Sequence, residues 1–205
     1  MARPLRLGFL ASHNGSNMQA LIDACKTGRL EARPSVVISN NSESGALARA
    51  RQEGIPACHL SGHTHPGPGV LDQAICATLT HHQVEVVCLA GYMKRLGPQT
   101  LATFRGRVLN IHPALLPKFG GEGYYGQAVH QAVLEAGEKE SGPTVHLVDE
   151  QYDHGPVLAQ ARVLVLEGDT PATLAARVLA QEHRLYAETL QRIAMGEIVL
   201  EGLKR

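Results

Sequence analysis

Asn110 and His112 are the residues whose types suit proton transfer and the holding of a developing negative charge. In Leu109-Asn110-Ile111-His112-Pro113 the two polar residues alternate with apolar ones, and Ala114-Leu115-Leu116-Pro117 follows directly. On an extended chain, side chains two residues apart share a face, so Asn110 and His112 project together. An asparagine amide can donate to an oxyanion. A histidine, with an ordinary pKa of about 6.5, gives or takes a proton near neutrality. The competing reading is a histidine stacked in a turn and an asparagine bonding backbone, but a polar pair facing one way beside a Pro-rich turn favours chemistry. Downstream, Thr144-Val145-His146 leads into Asp149-Glu150-Gln151-Tyr152-Asp153-His154-Gly155-Pro156. Taken alone, that acidic run reads as a solvated loop in which Asp153 caps a turn.

A second pattern, Ser12-His13-Asn14-Gly15-Ser16-Asn17, lies between an apolar run and a helical one. A strand-to-helix turn aims free backbone N–H groups and the positive end of the helix dipole at one spot. Gly15 permits close approach, and Ser16 and Asn17 add donors, a layout that suits phosphate. An ordinary helix cap by Ser16 or Asn17 is an equal reading of the same residues. The spacing is not G-x-G-x-x-G, so a dinucleotide site fits poorly.

The elements that must hold these groups alternate in type. Leu5–Ser12, Ser35–Ser39, Ala57–Leu60, Val84–Ala90 and Arg107–Ile111 read as strands, with the apolar Val84–Ala90 suited to the middle of a parallel sheet. Between them, Ser16–Lys26, Gly45–Gln52 and Val70–His81 have helical spacing. Strand and helix in alternation predict an α/β fold, a Rossmann-like, open, mostly parallel sheet with helices on both faces. Further on, Gln127–Ala136 predicts a helix, Thr144–Val148 and Val157–Leu166 two strands, and Thr170–Ala194 a long helix opened by Thr170-Pro171. In such sheets ligands bind at the carboxyl ends of strands, where both polar motifs fall.

Composition narrows the partners. The 205 residues suit one domain, 1–205, with no repeat or long linker. Nineteen basic residues balance nineteen acidic ones, which gives no electrostatic reason to expect nucleic acid or an anionic membrane. The apolar run Leu7–Ala11 is too short for a signal peptide or membrane span. Cys25, Cys58, Cys76 and Cys88 form no C-x-x-C pair and read as reduced thiols, so the cytoplasm is the expected location. His59, His63 and His65 near Cys58 lie in a Ser/Gly/Pro-rich stretch without structural-zinc spacing, and no metal is expected there.

Five segments, "NGSNMQALIDAC", "VVCLAGYMKRL", "VLNIHPALLP", "TVHLVDEQYDHGP" and "AARVLAQEHRLY", together resemble the folate-dependent formyltransferases, in that family's order and spacing and over nearly the whole chain. The resemblance implies transfer of a formyl group from 10-formyltetrahydrofolate, a co-substrate, to the amine of glycinamide ribonucleotide. It calls for no metal and no covalent intermediate. It implies a phosphate-binding half over about 1–105 and a catalytic, folate-binding half over about 106–205. By the same resemblance Asn110, His112 and Asp153 are the catalytic trio, with Asp153 raising the His112 pKa and ordering a water. Gly15, Ser16 and Asn17 cradle the ribonucleotide phosphate, and Glu182 contacts the ribonucleotide. Met93, Lys94, Arg95 and Leu96, with Val148, Asp149 and Asp153, line the folate pocket. Partners are then small molecules, without nucleic acid or membrane, for a monomer or homodimer. Two departures stand out: His13 takes the place of a usual glycine, and Phe119–Tyr125 is longer and richer in glycine than the common form. A formyltetrahydrofolate hydrolase would carry an N-terminal regulatory domain and have no use for the Gly-Ser-Asn motif. A tRNA-directed member would need a larger C-terminal domain and a basic surface. A non-catalytic folate- or nucleotide-binding module would bind without turnover and would not need the catalytic trio.

Overall fold

The computed structural model describes residues 3–203. Its first half is a run of strand-helix units: β1 (Leu5–Leu10), α1 (Ser16–Lys26), β2 (Ala32–Ser39), α2 (Gly45–Gln52), β3 (Ala57–His59), α3 (Val70–His81), β4 (Val86–Leu89), α4 (Pro98–Thr103) and β5 (Val108–His112). The second half holds α5 (Gln127–Glu135), β6 (Glu140–Ser141), β7 (Thr144–Leu147), β8 (Val157–Gln160), β9 (Val163–Leu164) and α6 (Pro171–Ala194). Seven strands form one sheet in the order β3-β2-β1-β4-β5-β7-β8. The first five are parallel, β7 pairs antiparallel with β5, and β8 pairs antiparallel with β7. The Rossmann-like expectation is met.

The two-residue alternation of the strands sorts the core. Leu7 and Phe9 of β1, with Val86 and Cys88 of β4, pack with Met18, Leu21 and Ile22 of α1, Leu47 of α2 and Leu190 of α6. Leu10, Val87 and Leu89 pack on the other side with Ile75 and Leu79 of α3 and Phe104 after α4. Both faces of the central strands are buried, which is why their sequences are apolar throughout.

Strand ends shift by up to three residues, as where β2 begins at Ala32, and two features differ outright from the sequence expectation. Val157–Leu166 is not one strand: β8 closes the main sheet, and β9 pairs with β6 in a separate two-stranded sheet. Between β8 and β9 lies Ala161, whose carbonyl oxygen would stand 1.9 Å from any Cβ on Gly142. The helix α4 is additional. Its first turn is capped from outside, because the Asp72 carboxylate of α3 accepts from Gln99 N at 2.7 Å and Thr100 N at 3.1 Å.

Tyr186 of α6 ties that helix to the centre of the sheet. Its buried hydroxyl hydrogen is shared between Leu89 O at 3.2 Å and Leu109 O at 3.1 Å, on the neighbouring strands β4 and β5. Tyr186→Phe keeps the ring and removes this donor, so unfolding free energy is expected to fall by about 1–3 kcal/mol. Urea denaturation reads this as a lower midpoint at unchanged slope. An unchanged midpoint would mean that the bond carries no net stability.

Candidate active site

The chain runs outward from β1 to β3 and then returns to β4 beside β1, so the strand order reverses between β1 and β4. A crevice opens outside the carboxyl ends of strands at such a point. Two cavities occupy it. The larger, about 870 Å³, is bordered by residues 13–17, by Gly121–Gln127 and by Glu182. The smaller, about 410 Å³, is bordered by Leu89, Leu96 and Leu101 with Val148–Asp153. Tyr92, Asn110, Tyr152 and Asp153 border both, so the cavities meet at these four residues.

The larger cavity begins at the start of α1. Gly15 is the N-cap residue, with φ 72°, and a Cβ there would come within 2.8 Å of Ala46 Cβ. Left-handed backbone with no room for a side chain requires glycine. No side chain among the described residues caps α1, whereas Ser44 caps α2 and Thr170 caps α6. The first N–H groups of α1 are therefore not taken up by a cap, and the helix-cap reading of Ser16 or Asn17 falls away. Asn17 instead donates through Nδ2 to Glu182 Oε2 at 2.6 Å. Burial holds the Glu182 carboxyl above its ordinary pKa, against the lowering effect of that bond.

Asp153 sits between two histidines. Its Oδ2 lies 3.4 Å from His112 Nδ1 and its Oδ1 3.4 Å from His146 Nε2. Its backbone is left-handed, with φ 53°, and Gly121 N donates to Oδ2 at 3.0 Å. The loop returns through Gly155, where a Cβ would stand 1.9 Å from Leu147 O, so only glycine passes. Burial raises the Asp153 pKa, but the His146 bond, the His112 charge and the Gly121 N–H together outweigh it, and the carboxyl ends below its ordinary value.

His112 donates through Nε2 to Phe119 O at 2.7 Å. With that N–H committed, the proton that comes and goes is on Nδ1, facing Asp153. Burial pushes the His112 pKa down, and the Asp153 charge pushes it up by less. The expected net rise from Asp153 is thus reversed, because the ring is almost fully enclosed. His146 donates through Nδ1 to Leu147 O at 2.8 Å, so its Nε2 stands free at 3.2 Å from Asn110 Nδ2. Unprotonated, that nitrogen accepts from the Asn110 amide; protonated, it donates to Asp153.

The trio Asn110, His112 and Asp153 therefore converges, as do Gly15, Ser16, Asn17 and Glu182 around the larger cavity. Lys94, Arg95, Leu96, Val148 and Asp149 border the smaller one. Met93 lies with the larger cavity instead. Arg95 closes over the smaller cavity by donating to Glu150 O and stacking its guanidinium 5.1 Å from the Tyr152 ring centre. His146, Tyr92 and Tyr152 stand out only in three dimensions. The pairing of Asn110 with His146 across β5 and β7 is a matter of register, although the alternation of Thr144 and His146 already marks a polar face.

Burial also holds His130 and His183 below the ordinary histidine value. With His112, these groups stay unprotonated in the folded protein where the unfolded chain takes up protons. Stability must then rise with pH across the window from the lowered folded values up to about 6.5. The urea midpoint is expected to be lower at about pH 5.5 than at about pH 7.5. An equal or higher midpoint on the acid side would contradict the burial of neutral rings.

The sequence profile of the formyl transferase family matches residues 5–190. The chain is 40% identical to the phosphoribosylglycinamide formyltransferase of Escherichia coli (strain K12), over 95% of this chain and 89% of that protein. It is 42% identical to the chloroplastic phosphoribosylglycinamide formyltransferase of Vigna unguiculata, over 96% of this chain, but spans only 63% of that protein's length. The crystal structure of glycinamide ribonucleotide transformylase 1 from Symbiobacterium toebii superposes with a TM-score of 0.91 at 41% identity, covering 99% of this chain and 93% of that one. A match that runs from β1 into α6, and so takes in every wall of the two cavities, leaves one conclusion: the chain belongs to the formyl transferase family.

Proposed function

We propose that the protein transfers a formyl group from 10-formyltetrahydrofolate to the amine of glycinamide ribonucleotide, a step of purine synthesis, in the cytoplasm. The observation that carries this reading is the meeting of two dissimilar cavities at Asn110 and Asp153. One is floored by an uncapped helix N-terminus suited to a phosphate, and the other is lined by Leu89, Leu96, Leu101 and Val148, suited to a flat heterocycle. An acceptor held in the first and a formyl donor held in the second bring amine and carbonyl carbon together at the shared wall. The new C–N bond forms as the amine attacks, and the bond from the formyl carbon to the folate nitrogen breaks. The amine loses a proton and the folate nitrogen gains one. Asn110 Nδ2 supplies a donor for the oxyanion, and His112 Nδ1, beside Asp153, supplies a second once it has taken up the amine's proton. Asp153 and the two histidines offer a short relay for the proton, through ordered water or directly. No helix among the described residues is long and apolar enough to cross a membrane, and both substrates are small molecules.

The test is release of tetrahydrofolate from 10-formyltetrahydrofolate, followed spectroscopically with and without glycinamide ribonucleotide. Release that depends on the ribonucleotide is expected. Release without it would assign a hydrolase, and no release in either case would overturn the reading.

A further inference from the structure

We infer that Arg49 is a positioning residue for the acceptor's phosphate, acting through Asn14, an inference that rests on the larger cavity taking a phosphorylated acceptor. Asn14 borders that cavity one residue before the N-cap of α1. It is held from the side by the start of α2. A Cβ on Gly45 would stand 2.9 Å from Asn14 Oδ1 and 3.1 Å from its backbone oxygen, so α2 approaches as closely as backbone can. Ala46 N donates to His13 O at 3.0 Å, which fixes the preceding peptide. One turn further along α2, half-buried Arg49 reaches back with two bonds: Nε donates to Asn14 O at 2.9 Å and Nη2 to Asn14 Oδ1 at 3.1 Å.

The second bond has a chemical consequence. An asparagine amide has one accepting and one donating end, and either can face a ligand. With Oδ1 taken by a guanidinium, which only donates, the amide is fixed so that Nδ2 and its two hydrogens are the end left for a ligand. An anion beside the α1 N-terminus then meets a side-chain donor next to the backbone ones, and not a carbonyl oxygen that would repel it. Arg49 also adds a positive charge behind the loop, but its forked geometry is what sets the amide. Lysine cannot reproduce that fork.

Five proteins test this: wild type, Arg49→Met, Arg49→Lys, Asn14→Ala and the double variant Arg49→Met/Asn14→Ala. The KM for glycinamide ribonucleotide is expected to rise about tenfold in Arg49→Met and in Asn14→Ala, with kcat and the KM for 10-formyltetrahydrofolate within about twofold of wild type. Arg49→Lys is expected to remain impaired, because it keeps the charge and loses the fork. The double variant is expected to be no worse than Asn14→Ala alone, the non-additivity of a residue that acts through another. Calorimetric titration with ribose 5-phosphate gives the same comparison without turnover. An acceptor KM unmoved in Arg49→Met, full rescue by lysine, or additive losses in the double variant would each overturn the inference. If the wild type fails to use glycinamide ribonucleotide, the activity reading fails, and the ribose 5-phosphate titration still decides the role of Arg49.

Discussion

Asp153→Asn is expected to leave the protein folded and to lower kcat/KM by about 10²–10⁴-fold. The substitution separates charge from shape. Position 153 has left-handed backbone, φ 53°, a conformation that asparagine tolerates as well as aspartate. The side-chain oxygen of asparagine can still accept from Gly121 N, which anchors the loop. What disappears is the negative charge shared between His112 Nδ1 and His146 Nε2. Without it, the burial that lowers the His112 pKa is no longer offset by that charge, and a proton taken up on Nδ1 is held less firmly. The donor for the oxyanion then weakens together with the relay. The acid limb of the pH–rate profile should move down with the rate, a change that a simple packing defect would not produce. Circular dichroism and the urea midpoint check the fold, and initial rates with both substrates check the loss. Near-full turnover in a folded Asp153→Asn protein would remove Asp153 from the mechanism.

How much of this could be read from the chain depends on where each interaction is closed. The helices α1, α2 and α3 fall where the sequence puts them, because each carries its own apolar stripe and its own stop, such as Gly54 after α2. The turn into α1 was half legible. Gly15 marks a close approach, but what approaches it is Ala46, thirty-one residues away, 2.8 Å from where a Cβ would stand. The helix α4 was invisible because its cap is Asp72 on another helix, and six residues show no periodicity. The split of Val157–Leu166 has the same origin: the run is uniformly strand-like, and only the close backbone contact between Gly142 and Ala161 shows where it must leave the main sheet.

The site divides in the same way. Asn110 and His112 announce themselves by alternation on one strand, a local property. Asp153 had no such signal of its own, since an acidic loop residue is ordinary. It gains its meaning from the antiparallel return of β7, which sets His146 opposite Asn110 and brings the next loop back over both. The direction of the His112 shift was equally hidden. A carboxylate neighbour argues for a raised pKa, and the enclosure that reverses it is a property of the folded molecule. Arg49 lies on an unremarkable helix and acquires a role only because Gly45 lets α2 press against Asn14.

Asn110→Ala is expected to lower kcat by about 10²–10³-fold, the loss of roughly 2.7–4 kcal/mol that follows removal of one oxyanion donor. Asn110 is only partly buried, and its amide meets His146 Nε2 at 3.2 Å, so truncation removes one weak internal bond and little core. Stability should therefore change far less than rate. His146 then loses the donor that faces its Nε2, and that nitrogen is left to Asp153 alone, so the proton relay is disturbed in the same variant. The two effects are separable. If Asn110 acts on charge that develops in the transition state, kcat and kcat/KM fall together and both KM values hold. If it serves mainly to bind a ground-state carbonyl, the KM for 10-formyltetrahydrofolate rises and kcat is spared. Single-turnover measurements with saturating substrates decide between these outcomes, and a preserved single-turnover rate would assign Asn110 to binding and leave His112 as the principal donor to the oxyanion.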